Sequence, residues 1–276
     1  MHLRRGWGWA AHAAVALSFV VVSSGVFSSG VVAGPTEGGA KAAAAGPRQL
    51  TVHVIATYPH DSNAFTEGLE VHNGRLFESV GLRGRSDVRE VDLATGKIVR
   101  RVKLPKDVFG EGLAILADGS LVQLSWTSGR AFRWTSTLKK AGEFRYQGEG
   151  WGLCYSASAK QLIQSNGSDT LSFRDPSTFA VVRQLKVTRG GRVIGNLNEL
   201  DCDGTSVLAN EWLTDNILQI DLGTGAVTEQ IDASMLGPAK HDANDVLNGI
   251  ARLGNGHWLI AGKRWPQIYE VTFAAK

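Results

Sequence analysis

The sequence has little net charge, no clustered histidines and only two cysteines. Its 276 residues include 29 lysines and arginines and 26 aspartates and glutamates, which gives a formal net charge of +3. Because this basic excess is too small to indicate an anionic partner, we expect no binding to nucleic acid. The histidines that follow the N-terminal region are too scattered for the ligand spacing of a zinc site: His53, His60, His72, His241 and His257. We therefore expect no catalytic zinc.

The N-terminal residues have the pattern of a targeting segment. Arg4 and Arg5 precede an apolar run from Trp7 to Val32, and small residues suited to signal-peptidase cleavage end at Ala33. This pattern predicts a signal peptide over residues 1–33, and an uncleaved membrane anchor is the alternative. Residues 34–49, which lack apolar periodicity, are predicted to be a disordered linker. We expect a secreted or periplasmic protein whose folded domain covers residues 50–276.

A short motif recurs five times in the predicted domain. In each copy a polar or aromatic residue precedes an aliphatic residue at the start of an apolar strand, at intervals of 40 to 50 residues. The copies are Thr66-Glu67-Gly68-Leu69, Gly110-Glu111-Gly112-Leu113, Gly150-Trp151-Gly152-Leu153, Asn198-Glu199-Leu200 and Leu247-Asn248-Gly249-Ile250. A fixed period in this range is typical of a repeat architecture.

Each repeat divides into short strands separated by turn residues, which predicts an all-β fold. The four strands of the first repeat are 68–72, 75–81, 87–92 and 98–104, with a tight turn at Asn73-Gly74. The fifth repeat lacks one strand, and an unused strand from Leu50 to Tyr58 can supply it. The sequence therefore predicts a five-bladed β-propeller closed by the N-terminal strand. An open β-solenoid is the competing architecture.

The two cysteines lie in neighbouring repeats. Cys154 follows Leu153 by one residue, whereas Cys202 follows Leu200 by two. Since successive side chains of a strand point to opposite faces, this offset predicts two buried free thiols. A disulfide, which export would permit, is the alternative.

A propeller would gather polar and aromatic residues of the repeats at one mouth of its channel. The start of the first strand and the end of the second share a face, because the two strands are antiparallel. The residues at these positions are Phe65, Glu67, Glu78, Phe109, Glu111, Trp126, Trp151, Asn166, Asn198, Trp212, Asn248 and Lys263. Aromatic walls with few polar groups are typical of ligand sites. The structural alternative is that the tryptophans only pack as caps on the blades.

Glu111 is the candidate catalytic residue. It lies between two glycines, and in the predicted mouth it would be crowded by aromatic rings and other acids, which raises the pKa of a carboxyl group. A raised pKa suits a general acid/base. The alternative is a structural carboxylate that binds neighbouring main-chain NH groups.

Ordered motifs extend through the predicted domain, from Tyr58 to about Val271. They are Tyr58-Pro59-His60-Asp61, Phe65-Thr66-Glu67-Gly68-Leu69, Phe77-Glu78-Ser79, Gly84-Arg85-Ser86, Phe109-Gly110-Glu111-Gly112-Leu113, Gly150-Trp151-Gly152-Leu153, Asn198-Glu199-Leu200, Asp245-Val246-Leu247-Asn248-Gly249-Ile250 and Gly262-Lys263-Arg264-Trp265-Pro266. Together they resemble the plant-type and bacterial glutaminyl-peptide cyclotransferases. These five-bladed propeller enzymes are unrelated to the zinc-dependent animal glutaminyl cyclases.

The resemblance implies that an N-terminal glutamine of a peptide or protein is converted to pyroglutamate, with release of ammonia and without catalytic zinc. It implies a catalytic acid at Glu111 and polar substrate contacts at Asn198 and Lys263. It implies aromatic walls at Phe65, Phe109, Trp126, Trp151 and Trp212. Glu67 stands where the family usually has glutamine, and we expect it either to raise the pKa of Glu111 or to bind the substrate ammonium.

No cofactor is required by this chemistry, and we expect a monomer. Inward carbonyl and carboxylate groups would allow a structural calcium ion in the channel. A non-enzymatic secreted propeller that binds peptides or sugars through the same aromatic mouth is the alternative function.

Overall fold

The computed structural model describes residues 46–238 and 244–276. The predicted signal peptide, 1–33, and most of the predicted linker lie outside the described residues. Within the described ranges the chain forms strands and no helix, which confirms the all-β prediction. It follows that no helix of these two ranges has the length and apolarity needed to cross a membrane.

The strands in chain order are β1 Arg48–Pro59, β2 Thr66–His72, β3 Arg75–Val80, β4 Asp87–Asp92, β5 Lys97–Lys103, β6 Gly110–Ile115, β7 Leu121–Ser125, β8 Arg130–Trp134, β9 Lys140–Arg145, β10 Leu153–Ser156, β11 Gln161–Gln164, β12 Thr170–Arg174, β13 Val181–Lys186, β14 Thr188–Arg189, β15 Arg192–Val193, β16 Leu197–Asp203, β17 Ser206–Glu211, β18 Asn216–Asp221, β19 Val227–Asp232, β20 Leu247–Gly254, β21 His257–Gly262 and β22 Gln267–Ala275. The predicted turn between β2 and β3 is confirmed, because Asn73 and Gly74 both have positive φ, at 50° and 73°.

The strands form four-stranded antiparallel sets. Strands β2 to β5, β6 to β9 and β10 to β13 make three separate sheets, each in chain order. The remaining sheet has the order β16-β17-β18-β19-β1-β22-β21-β20, so it consists of two such sets that meet where β1 runs parallel to β19. The small hairpin of β14 and β15 is outside these sets and was not predicted.

The N-terminal strand completes the fifth repeat, as predicted. Strand β1 pairs antiparallel with β22 from Leu50 opposite Ala275 to Pro59 opposite Gln267. It begins at Arg48, so the last two residues of the predicted linker belong to this strand.

The first strands of the five repeats contact one another in a closed cyclic order, β2 to β6, β10, β16, β20 and back to β2. The motif glycines permit this close approach. A Cβ atom on Gly112 would lie 2.5 Å from the amide nitrogen of Leu153, and one on Gly68 would lie 2.6 Å from that of Leu113. Because backbone atoms cannot give way at these distances, a side chain at either position would push neighbouring strands apart.

Apolar side chains fill the spaces between neighbouring sets. Phe77 of the first repeat, for example, packs in one buried cluster with Leu113 and Phe132 of the second. A separate buried cluster joins the third and fourth repeats, and includes Phe173 and Leu200. The core is therefore divided among the interfaces between repeats.

The prediction of two free thiols is wrong, because Cys154 of β10 and Cys202 of β16 form a disulfide with Cα atoms 5.5 Å apart. The offset from Leu153 and Leu200 does place the cysteines on opposite sides of their strands. Those sides face each other, since both cysteines pack in the cluster between the third and fourth repeats. One face of the third repeat packs against the opposite face of the fourth. The one-residue offset between the two cysteines therefore brings their side chains together in the same interface.

Candidate active site

Glu111 is buried at the start of β6, where its residue is 6% exposed. The flanking glycines allow the main chain to approach neighbouring strands, and the carbonyl oxygen of Glu111 accepts a hydrogen bond from the Ser79 hydroxyl. The alternative role predicted for Glu111 was to bind neighbouring main-chain NH groups. Glu199 is the residue that does so. There the carboxylate oxygens accept hydrogen bonds from the amides of Leu69, at 3.2 Å, and Ile250, at 2.8 Å.

Glu67 lies at the start of β2 and is paired with Lys263. The Lys263 ammonium lies 2.9 Å from Oε1 and 2.8 Å from Oε2 of Glu67. The side-chain amide of Asn248, on β20, donates a hydrogen bond of 3.1 Å to the same carboxylate. Together with Glu111 on β6, these residues form one buried polar cluster. Three of the five repeats contribute to it, namely those that begin with β2, β6 and β20.

Burial raises the pKa of Glu111 well above its ordinary value, and the negative charge of Glu67 raises it further. The Lys263 ammonium opposes this shift, and the Glu149 carboxylate adds to it. Burial also raises the pKa of Glu67, to about 6, against the opposing charge of Lys263. Direct contact with the Lys263 ammonium favours the ionised form of Glu67.

The five aromatic residues predicted to form walls are all half-buried. Core phenylalanines such as Phe77 and Phe173 are 1% and 0% exposed, so the wall residues differ from packing residues. The rings make edge contacts, with centroids 6.0 Å apart for Phe65 and Phe109, 5.7 Å for Phe109 and Trp126, and 5.3 Å for Trp151 and Trp212. Lys263 lies 4.7 Å from the centroid of Phe65, which connects this wall to the polar cluster.

Glu149 is a site residue that sequence reasoning missed. Its Oε2 atom accepts hydrogen bonds from the indole NH of Trp126, at 2.8 Å, and of Trp151, at 2.9 Å. The signal that could have revealed it is its place directly before the third motif, where Glu149-Gly150 repeats the acid-glycine pair of the second motif.

Two other polar residues predicted at the mouth have structural partners. The Glu78 carboxylate accepts a hydrogen bond of 2.8 Å from Thr66 and contacts Nε2 of His60 at 2.9 Å. Asn166 is exposed and accepts hydrogen bonds from Ser168 in a turn. Neither contact involves Glu111.

His60 anchors the segment that carries Lys263. Its Nδ1 atom lies 2.7 Å from the carbonyl oxygen of Trp265, and its amide donates to the carbonyl oxygen of Pro266 at 3.0 Å. Because both ring nitrogens face acceptors, the protonated imidazolium fits this position. Burial opposes the charged form, but the Glu78 carboxylate and the Trp265 carbonyl outweigh burial and raise the pKa of His60.

Asn198 is buried, and its carbonyl oxygen accepts a hydrogen bond of 2.6 Å from the Ser165 hydroxyl. This contact involves the main chain, so a substrate contact by the Asn198 side chain stays a prediction. Across 46–238 and 244–276, no group of three or more histidine, cysteine, aspartate or glutamate side chains is arranged to hold a metal ion.

A surface cavity of about 570 Å³ lies beside the turns that follow Trp212 and Lys263. Leu213, Met235, Asp245 and Trp265 are among its lining residues, and none of the predicted site residues lines it. The cavity is therefore distinct from the cluster around Glu111.

Comparison with known proteins identifies relatives along most of the chain. The model of the glutamine cyclotransferase family matches residues 28–273. A glutaminyl-peptide cyclotransferase of Arabidopsis thaliana is 38% identical over 228 residues, which cover 80% of this chain and 70% of the relative. The crystal structure of a Myxococcus xanthus glutaminyl cyclase has 38% sequence identity and a TM-score of 0.77, covering 83% of this chain and 99% of that one. This chain belongs to the glutamine cyclotransferase family.

Proposed function

We propose that this protein is a glutaminyl-peptide cyclotransferase, which converts the N-terminal glutamine of peptides or proteins to pyroglutamate and releases ammonia. The observation that carries the proposal is the buried Glu111, with its raised pKa, beside the Glu67–Lys263 pair in a member of this family. The half-buried aromatic walls supply a place for the glutamine side chain.

The reaction needs no nucleophile from the enzyme. The substrate's own α-amino nitrogen attacks the carbon of its side-chain carboxamide, and a carbon–nitrogen bond forms that closes a five-membered ring. The bond to the carboxamide nitrogen then breaks, and that nitrogen leaves as ammonia after gaining the proton that the α-amino nitrogen lost. One acid/base group can therefore perform both proton transfers.

Glu111 is the group that we assign to this proton shuttle, with a contribution of roughly 10²- to 10⁴-fold to the rate. The raised pKa makes Glu111 a stronger base than an ordinary carboxylate, which favours its acceptance of the α-amino proton. Lys263 and Asn198 would polarise the carboxamide oxygen, and each such donor contributes on the order of 10²- to 10³-fold. Because an ammonium has three donors, Lys263 can bind Glu67 and a substrate oxygen together.

The aromatic walls would exclude water and hold the glutamine side chain folded back on its α-amino group, which favours ring closure. The substrate-binding residues of this proposal are Phe65, Phe109, Trp126, Trp151, Asn198, Trp212 and Lys263. We assign Glu67 a role through Lys263 and Glu111, since the Lys263 ammonium already occupies both of its oxygens.

A closed five-bladed β-propeller is the architecture that we propose for the domain. The five four-stranded sets, the cyclic contacts of their first strands and the antiparallel pairing of β1 with β22 support it. A propeller closed in this way leaves only short, protected sheet edges.

The cofactor and location of the enzyme are also proposals. We propose that no catalytic zinc is needed, since Glu111 can carry the proton transfers and, among the described residues, His60 and His257 are engaged with Glu78 and Glu270. A structural calcium ion in the channel stays a prediction. The Cys154–Cys202 disulfide supports export to an oxidising compartment, secreted or periplasmic. We propose that the protein is a monomer and that it does not bind nucleic acid.

The alternative is a propeller that binds peptides or sugars without turnover. Incubating the protein with a peptide that begins with glutamine, followed by mass spectrometry, distinguishes the two. We expect loss of the mass of one ammonia, faster than in buffer alone. The matched peptide with an acetylated N-terminus should not react, because its α-nitrogen is no longer nucleophilic. Binding of the peptide with no mass loss would contradict the proposed function.

A further inference from the structure

Two tryptophans from different sheets share one carboxylate oxygen at the candidate site. Trp126 directly follows β7 of the second repeat, and Trp151 precedes β10 of the third. Their indole NH groups lie 2.8 Å and 2.9 Å from the same atom, Oε2 of Glu149. An indole has a single polar hydrogen, so a hydrogen bond to it restricts the orientation of the ring.

Glu149 connects two groups of wall residues. One group is the series of edge contacts from Phe65 through Phe109 to Trp126, and the other is the pair of Trp151 and Trp212. The carboxylate therefore lies at the junction of the two walls.

The main chain that carries Glu149 is itself held in place. The amide of Gly150 donates to the carbonyl oxygen of Trp126 at 3.0 Å, and the side chain of Gln164 donates to the carbonyl oxygen of Glu149 at 3.1 Å. A Cβ atom on Gly150 would collide with the Tyr146 hydroxyl, so a larger residue here would displace the Tyr146 side chain. An exposed carboxylate normally contributes little, because its side chain is free to move. Glu149 differs because both its main chain and its oxygen are engaged.

We propose that Glu149 is a positioning residue of the site, which aligns the indole rings of Trp126 and Trp151 across the boundary between two repeats. The inference rests on the proposed cyclotransferase function, because the rings it aligns are the walls proposed to hold the glutamine side chain. The proposed substrate remains a peptide with an N-terminal glutamine. Glu149 would contribute by shaping the space that holds the folded glutamine side chain.

Glu149 also acts on Glu111 through its charge. The charged or titratable groups that influence Glu111 are Glu67 on β2, Lys263 after β21, Glu149 before β10, and Tyr146 after β9. Of these, Glu67 and Glu149 are negative and favour the protonated form of Glu111, whereas Lys263 favours the ionised form. Removing the charge of Glu149 should therefore lower the pKa of Glu111.

Two variants separate the hydrogen bonds from the charge. Glu149→Gln keeps an oxygen that can accept from both indoles but removes the charge, whereas Glu149→Ala removes both. We expect KM for a glutamine-initiated peptide to rise about tenfold in Glu149→Ala and no more than about threefold in Glu149→Gln. In both variants the acidic limb of the kcat/KM profile should move to lower pH, because the free enzyme's Glu111 loses a proton more readily.

Glu143→Gln is the matched control. It removes one negative charge from the neighbouring strand β9, where Glu143 binds Arg130 and no indole. Its KM and acidic limb should equal those of the wild type. A normal KM and an unmoved acidic limb in Glu149→Ala, with wild-type turnover intact, would overturn the inference and leave the proposed function standing.

Indole resonances give a readout that does not depend on turnover. In ¹H–¹⁵N spectra the indole NH signals of Trp126 and Trp151 should shift together in Glu149→Ala, and that of Trp134, which lies in a core cluster, should not. If neither indole signal moves, Glu149 does not orient the rings. If the wild type shows no turnover while both signals move, the proposed function fails and the alignment of the rings stands.

Discussion

The Lys263 ammonium contacts both carboxylate oxygens of Glu67, at 2.9 Å and 2.8 Å, beside the buried Glu111. This pairing places a negative charge and its bound cation together beside Glu111. The charge of Glu67 raises the pKa of Glu111, while the cation opposes that shift. Which of the two dominates can be measured.

Glu67→Gln should move the acidic limb of the kcat/KM profile to lower pH. The variant removes the negative neighbour of Glu111 and releases Lys263, and both changes lower the pKa of Glu111. The shift would report the coupled group of charges and not a single residue. Lys263→Gln removes the positive charge that lowers the pKa of Glu111. The acidic limb of its kcat/KM profile should therefore move to higher pH. An unmoved limb with a raised KM in Glu67→Gln would instead indicate that Glu67 binds the substrate ammonium.

Glu111→Gln should lower turnover by at least about 10²-fold, because the amide retains the size of the side chain but cannot carry a proton. The measurement is kcat for a glutamine-initiated peptide, with urea unfolding to establish that the variant is folded. Glu143→Gln serves as the control carboxylate, and its turnover should be unchanged. Turnover near the wild-type value in Glu111→Gln would remove this residue from the catalytic role.

His60→Gln should destabilise the protein most at low pH. The folded-state pKa of His60 is raised, so its ionic contribution is fully present below the unfolded value of about 6.5 and is lost as pH rises through the folded-state pKa. The free energy of unfolding, measured in urea across this pH range, gives the difference from wild type. Thr66→Val is the control, since it removes a non-titrating donor to the same Glu78 oxygen. A difference that grows as pH rises would contradict the assignment.

The Cys154–Cys202 disulfide should contribute about 2–4 kcal/mol to the free energy of unfolding, because it restricts the unfolded chain over a sequence separation of 48 residues. The Cys154→Ala, Cys202→Ala double variant should lose this stability in urea unfolding. Wild-type protein in reductant should approach the double variant, which itself should not respond to reductant. Equal stability of the oxidised wild type and the double variant would argue that the bond is energetically silent.

Zinc chelation by dipicolinate should leave turnover unchanged, because the proposed proton transfers use Glu111 and the substrate's own nitrogen. The measurement compares initial rates before and after dialysis against the chelator. Loss of activity that added zinc restores would contradict a zinc-independent reaction.

Much of the fold was determined by the sequence itself. In the first repeat the predicted strand 87–92 coincides with β4, and the predicted strands 68–72, 75–81 and 98–104 differ from β2, β3 and β5 by no more than two residues at either end. The repeat pattern also predicted that Glu67, Glu111 and Lys263 share one mouth, and the structure pairs Glu67 with Lys263. The strands depend on local periodicity and on turn residues. The grouping of the site residues depends on the repeat period, which places the corresponding residues of each repeat at the same end of the channel.

Only the tertiary structure decided the contacts between repeats. It paired Cys154 with Cys202, joined Lys263 to Glu67, and brought Glu149 to Trp126 and Trp151. The period of a strand specifies which face a side chain takes, but not which side chain it meets on the next sheet. That depends on the distance and offset between packed sheets, which the motif glycines and the buried clusters set together, and no single repeat contains this information.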